Sequence, residues 1–511
     1  MRLRNKIALT LTGLLAMGFA AGCGDMDPMY SGNGAYYPPT NNAQPQADAG
    51  TQADEDYQEG ENYQEWVEND FIETSSEDTS TFAVDVDNGS YTVMRRDIES
   101  NNLPVPEGVR VEEYVNFFKY DYAEPREDMP FSINLEVAPS KFGHEGTQLL
   151  HIGLQGREMA LEDMAPSNLV FLIDVSGSMS SGDKLAWVKK SLYTLVDNLR
   201  EQDSVGIVVY AGREAVVLQP TPGSSKQQIK SAIEQLNAGG STNGEAGIDR
   251  AYELAEQAKI EGGNNRVILM TDGDFNVGRT GDDLIDFVES KREKHITLST
   301  VGFGRGNYND AHMEAFARKA NGNYFYIDKL AEAERIFGRD LPSTLEVIAA
   351  DVKVQVEFDS STVERYRLVG YENRLLDNED FDDDTKDAGE VGPGHTVTAV
   401  YELEMKDSLN AEDYLSTVRL RYKDQFGDES KLIERGIKAS QAAERFEDAS
   451  SDFRFSAAVT EYAEILRESK HSEGDRFDDV ISVARNSAPS TDEEKAEFIE
   501  LAEKAKTLWN R

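Results

Sequence analysis

The pattern of apolar and polar positions differs between the middle of the chain and its flanks. Between residues 166 and 348, short apolar runs alternate with stretches in which apolar residues recur every three or four positions. Short apolar runs are typical of strands buried on both faces, and the longer period is typical of the helices that cover them. The pattern predicts a doubly wound, mostly parallel α/β sheet of about six strands. The predicted strands are 169–174, 204–211, 215–219, 266–270, 296–301 and 324–327, and the predicted helices are 184–199, 226–236, 245–259, 282–294 and 311–320.

Both flanks of this α/β domain follow a strand pattern instead. Apolar and polar residues alternate over Phe131–Leu154 and again from Val352 to about Lys438. We expect residues 81–165 and 349–440 to be the two parts of one β-sandwich, with the α/β domain inserted between them.

The second flank contains an acidic segment, Asp377–Glu390, with eight acids around one lysine. A solvated loop and a calcium-binding loop are both conceivable. The solvated loop is favoured, because the glycine of an EF-hand loop is missing.

A helical period returns in residues 450–511, where Ser490 and the residues after it form a capped helix start. This region is expected to be a small helical lid that packs on the body. Exposed helices that bind another protein are the alternative.

The N-terminus has the layout of a secretory signal in residues 1–22. Arg2, Arg4 and Lys6 precede an apolar run that is shorter than the ~20 residues needed to span a bilayer. The following residues, 23–80, are polar and acidic, and we expect a disordered tether. Aromatic residues within 63–72 are expected to dock on the folded body.

Cys23 is the sole cysteine, so an intramolecular disulfide framework and a thiolate metal cluster are excluded. The stretch Phe19-Ala-Ala-Gly-Cys23 resembles a bacterial lipobox, which implies that Cys23 carries a lipid anchor. An unmodified cysteine after an ordinary signal peptide is the alternative. By the same resemblance, Gly24 in place of Asp implies the outer membrane of a bacterial cell envelope, on its periplasmic or surface face.

The net charge of the chain limits the classes of molecule that it is expected to bind. The chain has 52 Lys and Arg against 95 Asp and Glu, a formal net charge of −43. Phosphate neutralisation needs clustered basic side chains, so nucleic acid is excluded as a partner. The six histidines never form a ligand-spaced pair, which argues against a zinc site.

Three predicted loops at the carboxyl edge of the α/β sheet carry oxygen donors. They contain Asp174-Val-Ser176-Gly-Ser178, the segment 239–244 with Ser241 and Thr242, and Thr271-Asp272-Gly-Asp. Carboxylates and hydroxyls without His or Cys are hard ligands that suit Mg²⁺ or Mn²⁺. We expect a metal site with one position open to solvent, which a carboxylate of a partner fills.

These residues resemble the metal-ion-dependent adhesion site (MIDAS) of von Willebrand factor type A (VWA) domains. The resemblance implies that Ser176, Ser178 and Thr242 coordinate Mg²⁺, with Mn²⁺ or Ca²⁺ as alternatives. It also implies that Asp174 and Asp272 bind the metal directly or through water. Ser241 competes with Thr242 for the threonine role.

The resemblance extends over nearly everything after the tether. Several segments resemble those of bacterial YfbK-like VWA lipoproteins, among them FAVDVDNGSYTVMRR, FLIDVSGSM, GGNNRVILMTDGDFNVG and GHTVTAVYE.

Enzyme motifs are weak or absent in the sequence. The turn 302–307 only approximates GxGxxG, and GxSxG, GKS/GKT and HExxH do not occur. The interpretation is therefore a lipid-anchored, metal-dependent protein-binding module, with loops 275–279 and 305–308 supplying specificity. An envelope scaffold with a structural or self-associating metal site is the alternative, and a metal-dependent hydrolase comes third.

Overall fold

The computed structural model describes residues 61, 63–64, 66–182, 184–212, 214–240, 244–273, 281–292, 294–305, 308–424, 428–472 and 474–510. The predicted signal sequence, Cys23, Ser241, Thr242 and loop 275–279 lie outside these residues. Among the helices of the described ranges, none combines the length and apolar character needed to cross a membrane.

The secondary structure divides into strands and helices in the following order. The strands are β1 Ile72–Glu73, β2 Thr79–Ala83, β3 Phe131–Pro139, β4 Thr147–Gly156, β5 Ser167–Asp174, β6 Ser204–Tyr210, β7 Glu214–Pro222, β8 Asn264–Thr271, β9 Thr297–Phe303, β10 Tyr324–Ile327, β11 Ala349–Phe358, β12 Val363–Val369, β13 Leu375–Leu376, β14 Gly389–Val391, β15 Thr396–Met405, β16 Tyr414–Lys423 and β17 Lys431–Lys438. The helices are α1 Gly89–Glu99, α2 Val111–Val115, α3 Leu185–Asn198, α4 Lys226–Glu234, α5 Glu245–Gln257, α6 Gly281–Arg292, α7 Asp310–Lys319, α8 Leu330–Glu334, α9 Leu341–Leu345, α10 Ser451–Leu466, α11 Phe477–Ser487 and α12 Glu493–Trp509.

The central sheet has the strand order β10-β9-β8-β5-β6-β7. Its neighbours pair in parallel except β7, which runs antiparallel to β6. Apolar residues of α3 and α4 cover one face, and those of α5 and α7 cover the other. The predicted doubly wound α/β fold is confirmed.

The β-sandwich takes strands from both sides of this central domain. One sheet has the order β1-β12-β15-β4-β3, and the other contains β13-β2-β11-β16-β17. Strand β4, which precedes the α/β domain, pairs along its length with β15, which follows it. The apolar side chains between the two sheets form one core. The predicted insertion of the α/β fold into a sandwich formed by its flanks is therefore confirmed.

The folded body begins before residue 80, where the tether predicted for residues 23–80 was expected to end. Ile72 pairs with Tyr366 of β12, and β2 pairs with β11 from residue 79 onward. Upstream, the ring of Tyr63 lies against Gly108. The reason is that the aromatic and β-forming residues of this stretch gain partners on the body, as expected for 63–72.

The first flank also contains two helices that the sequence pattern did not predict. Helices α1 and α2 share one apolar core with the C-terminal helices α10, α11 and α12. Phe118 lies at the centre of this core, with its ring centroid 5.0 Å from that of Phe455 and 5.6 Å from that of Phe498. The C-terminal helices are thus a lid packed on the body, and α10 is buried over most of its length.

Buried ion pairs join this helical layer to the α/β domain. Arg95 of α1 donates two hydrogen bonds of 2.6 Å to Asp328, which follows β10, and one of 2.8 Å to Glu332 of α8. Its third carboxylate partner is Glu497 of α12. All but Glu497 are almost completely shielded from solvent. One guanidinium therefore links three parts of the fold.

Two further arginines make contacts of the same kind. Arg110 bridges Glu113 and Asp310 at the start of α7. Arg374 binds Asp85 at 2.9 Å and Asp87 at 3.1 Å. Asp87 in turn accepts a hydrogen bond from the backbone N–H of Tyr324 in β10. The seam between the α/β domain and the body is thus held largely by charged groups that water does not reach.

Replacing Arg95 tests this seam. We expect Arg95→Met to lower the free energy of unfolding by about 3–5 kcal/mol, because it removes the buried salt-bridge partner of Asp328 and one arginine from Glu332, which Arg335 still binds. The measurement is urea denaturation at neutral pH. Arg126→Met is the matched control, since Arg126 is 78% exposed in its pair with Asp128, and it should change the value by about 0.5 kcal/mol or less. Equal effects of the two substitutions would contradict this account of the seam.

Candidate metal centre

Two acidic residues are brought together by the pairing of β5 with β8. The strands run in parallel with Leu172 opposite Leu269 and Ile173 opposite Met270. Asp174 ends β5, and Asp272 directly follows β8, so both emerge at the carboxyl edge of the sheet. Their exposures are only 0% and 1%. Two of the predicted site residues are thus buried at the same edge of the sheet.

Asp174 is fixed by hydrogen bonds to both of its carboxylate oxygens. Its Oδ1 accepts from the backbone N–H of Ser176 at 2.8 Å, and its Oδ2 accepts from the hydroxyl of Thr271 at 3.1 Å. Burial raises the pKa of Asp174 to about 6, and the nearby charge of Asp272 adds to the rise. A cation at this site relieves the same electrostatic cost.

The two serine hydroxyls lie together at the same edge. Ser176 Oγ and Ser178 Oγ are 2.9 Å apart. Neighbouring oxygens of an octahedral shell with metal–oxygen distances of about 2.1 Å are about 3.0 Å apart. In the structure the two hydroxyls are hydrogen-bonded to each other at this distance, and both the spacing and the hard donor set are compatible with Mg²⁺. If the ion binds here, Ser176, Ser178, Asp174 and Asp272 are the described residues that would hold it.

The loop that leads to Thr242 is attached beside the serines. The backbone N–H of Gly177 donates to the carbonyl of Gly240 at 3.0 Å, and the N–H of Gly239 donates to the carbonyl of Val175 at 2.7 Å. These bonds place the start of the 239–244 segment next to the serine loop. The assignment of Thr242 stays a prediction.

Lys184 is part of the site, although the sequence analysis did not single it out. Its Nζ donates to Asp272 Oδ2 at 2.9 Å, and the exposures of the two side chains are 9% and 0%. The aliphatic stem runs over Gly304, where an added Cβ would lie 2.4 Å from Lys184 Cε. The signal in the sequence was two acids expected to meet at one sheet edge, for which Lys184, the first basic residue after the serine loop, is a counter-charge close in the chain.

The loop after β8 is packed against the loop after β9. Gly273 has a φ of +93°, and a Cβ at this position would lie 2.5 Å from the backbone nitrogen of Asn309. Tyr308, on the same loop, is completely buried, and its hydroxyl donates to Tyr324 Oη at 2.8 Å. Tyr308 therefore supports from inside the sheet edge at Asp174, Ser176, Ser178 and Asp272, which is called the metal edge below. This position corrects the expected place of Tyr308 in a specificity loop over 305–308.

A chain of hydrogen bonds connects this edge with the first described residues. Gly304 accepts a hydrogen bond from the hydroxyl of Tyr326. That hydroxyl also accepts from Arg96 at 3.2 Å, and Arg96 binds Glu61 at 2.9 Å. Arg305 donates to the backbone carbonyl of Arg96 at 3.1 Å. The N-terminal segment is thereby held beside the metal edge.

A second group of acids lies in the β-sandwich. One carboxylate oxygen from each of Asp351, Asp387 and Glu390 lies within 4.8 Å of the others. Asp351 is bound by Lys423 at 2.6 Å, and Asp387 is bound by Arg292 at 2.5 Å. Since two of the three acids already have basic partners, this group is a weaker metal candidate than the sheet edge.

Gly273 offers a test of the metal edge. We expect Gly273→Ala to destabilise the protein by about 1–3 kcal/mol beyond the cost of the backbone angle alone, because the methyl group meets the backbone of Asn309. It should also weaken Mg²⁺ binding, measured by calorimetry. Gly146→Ala is the control, because Gly146 has a φ of +92° with nothing within 4 Å of its Cβ position. The idea is wrong if both substitutions have the same effect.

Profiles of known protein families match most of the described chain. The profile of the von Willebrand factor type A domain matches residues 168–339. A profile described as "von Willebrand factor" matches residues 57–151, and one described as "Uncharacterized protein YfbK, C-terminal" matches residues 343–508. The α/β domain that carries the metal edge is therefore a VWA domain.

Individual proteins are also similar to this chain. The chain is 38% identical over 465 residues to YfbK of Escherichia coli (strain K12), covering 86% of this chain and 80% of that protein. It is 25% identical to human inter-alpha-trypsin inhibitor heavy chain H3 over 49% of this chain and 30% of that protein. A solved structure described as von Willebrand factor type A from Catenulispora acidiphila is 19% identical, with a TM-score of 0.43, and the match covers 68% of this chain and 81% of that one. On the evidence of its VWA domain, its C-terminal region and its long match to the Escherichia coli protein, the chain belongs to the YfbK family.

Proposed function

We propose that this protein is a cell-envelope lipoprotein that binds a protein partner through a Mg²⁺-dependent adhesion site on its VWA domain. VWA domains are generally protein-interaction modules, and the proposal assigns the interaction to the edge where Asp174 and Asp272 lie. The lipid anchor is Cys23, and the partner supplies an Asp or Glu to the metal.

The observation that carries the proposal is the gathering of hydroxyl and carboxylate oxygens at one edge of the sheet. Ser176 and Ser178 present hydroxyls 2.9 Å apart beside two carboxylates, all at one sheet edge. Gly177 between them is exposed, and Ser178 is half-buried. An ion bound by these groups has a side that faces solvent. A carboxylate is the natural ligand for that side, because Mg²⁺ prefers charged oxygens.

The scaffold alternative assigns the metal a purely structural role. In the structure, Lys184 already supplies a positive charge to Asp272 and contacts the loop at Gly304. The loops therefore have an internal brace that does not depend on a metal, which favours a metal that serves ligand capture. The family relationship offers nothing that points to catalysis, so a hydrolase ranks third.

Metal-dependent capture is the direct test. Residues 56–511, which form one compact unit, are immobilised and exposed to detergent-solubilised envelopes in Mg²⁺ or in EDTA. We expect proteins that are retained only with Mg²⁺ and are lost with Asp174→Asn. Asp128→Asn, at an exposed acid, is the matched control and should retain them. Identical proteins in every lane, or none in any lane, would contradict the adhesion role.

The anchor is tested separately by Cys23→Ser. We expect this variant to lose metabolic labelling with a fatty acid and to move from the membrane fraction to the soluble fraction, because lipid chains supply the membrane affinity. Ser31→Ala, a few residues downstream, is the control and should stay labelled. Continued membrane association of an unlabelled Cys23→Ser protein would show that another part of the chain holds it there.

A further inference from the structure

We propose that Lys184 is a built-in competitor of the metal: its ammonium group occupies Asp272 when Mg²⁺ is absent and weakens Mg²⁺ binding when the ion arrives. This inference rests on the proposed metal-dependent function and adds the residue that sets its affinity.

The position of Lys184 is fixed at both ends. Its backbone carbonyl accepts hydrogen bonds from the N–H groups of Trp187 and Val188, which open α3. Its stem lies on Gly304, a residue with a φ of +77° at which a side chain would collide with the lysine. The ammonium is therefore delivered to Asp272 by the fold and does not reach it as a freely moving surface group.

The charges at the site explain how the position of the Lys184 ammonium group affects metal binding. Asp174 and Asp272 are both buried, and the ammonium group of Lys184 is in contact with Asp272. Two buried like charges without a cation are unfavourable, so the lysine stabilises the metal-free site. When a divalent ion binds, it repels the ammonium across a few ångströms in a medium of low dielectric constant. Mg²⁺ must then displace the lysine from Asp272, which reduces the affinity of the site for the ion.

A role in which Lys184 only positions Asp272 predicts the opposite result. If the lysine orients the carboxylate for the ion, its removal weakens Mg²⁺ binding. If it competes, its removal strengthens Mg²⁺ binding and destabilises the protein without metal. The sign of the change in affinity therefore separates the two roles.

The experiment is a calorimetric Mg²⁺ titration of the full chain and of Lys184→Met, with the melting temperature of each measured in EDTA and in Mg²⁺. Methionine keeps an aliphatic stem over Gly304 and removes the charge. We expect the variant to bind Mg²⁺ about 10- to 100-fold more tightly and to melt at a lower temperature in EDTA. Lys190→Met, at an exposed lysine of the same helix that lies over the Trp187 ring, is the matched control and should change neither value.

A measurement on the unaltered chain covers the case in which the variant does not fold. Acylation of lysines, read by mass spectrometry, should label Lys184 about threefold more in Mg²⁺ than in EDTA, because the ion displaces its ammonium group. Labelling of Lys190 should stay constant. Labelling of Lys184 that is independent of Mg²⁺, in a chain that binds the ion, would overturn the proposal.

The outcomes distinguish this inference from the proposed function. If the unaltered chain binds Mg²⁺ and Lys184→Met binds it no more tightly, the competition is overturned and the adhesion site stands. If only Lys184→Met binds Mg²⁺, the lysine is confirmed as a competitor and the proposed metal-dependent function of the natural chain is overturned. If neither binds Mg²⁺, both are overturned.

Discussion

The central constraint on this molecule is the presence of two carboxylates, Asp174 and Asp272, buried side by side at one edge of a sheet. Parallel pairing of β5 with β8 places them there, and burial in a protein interior disfavours both charges. Neighbouring groups offset the cost of burying these two charges. Thr271 and the Ser176 backbone donate hydrogen bonds to Asp174, and Lys184 supplies a cation to Asp272. The arrangement of the candidate metal centre is therefore governed by electrostatics more than by the shape of its loops.

The attachment of the VWA domain to the rest of the protein follows the same physics. An inserted domain could be held by its two connections alone, yet here it is also held by Arg95, Arg110 and Arg374 in a shielded seam. Buried ion pairs add less net stability than apolar contacts of the same size, but they tolerate few alternative arrangements. We infer that the seam fixes the orientation of the VWA domain on the body more than it raises overall stability.

Much of the fold could be predicted because its patterns are local. Apolar runs that end in an acid, as in the strands before Asp174 and Asp272, identify both the parallel sheet and its functional edge. Helix α1 escaped prediction because its charged residues Arg95, Arg96 and Asp97 are buried, so its polar positions do not mark a face that meets solvent.

The missed residues of the site have a similar explanation. Lys184 opens a helix, where a lysine is ordinarily a solvated residue, and only the tertiary structure brings it to an acid 88 positions away. The start of the ordered body was missed because β1 is two residues long, too short to produce an alternating pattern. What the sequence could not provide in each case is a contact between distant parts of the chain.

The hydrogen-bonded connection from Glu61 through Arg96 and Tyr326 to Gly304 has a mechanical consequence. In the anchored protein that we propose, tension between the membrane and a captured partner enters at the N-terminal segment and leaves at the metal edge. These two points of attachment are neighbours in the structure, so the load crosses a short path within the VWA domain and α1. Because the same segment also pairs with β12 through Ile72 and binds Arg467, at the end of α10, through Glu68, the β-sandwich and the C-terminal helices take the remaining part of the load.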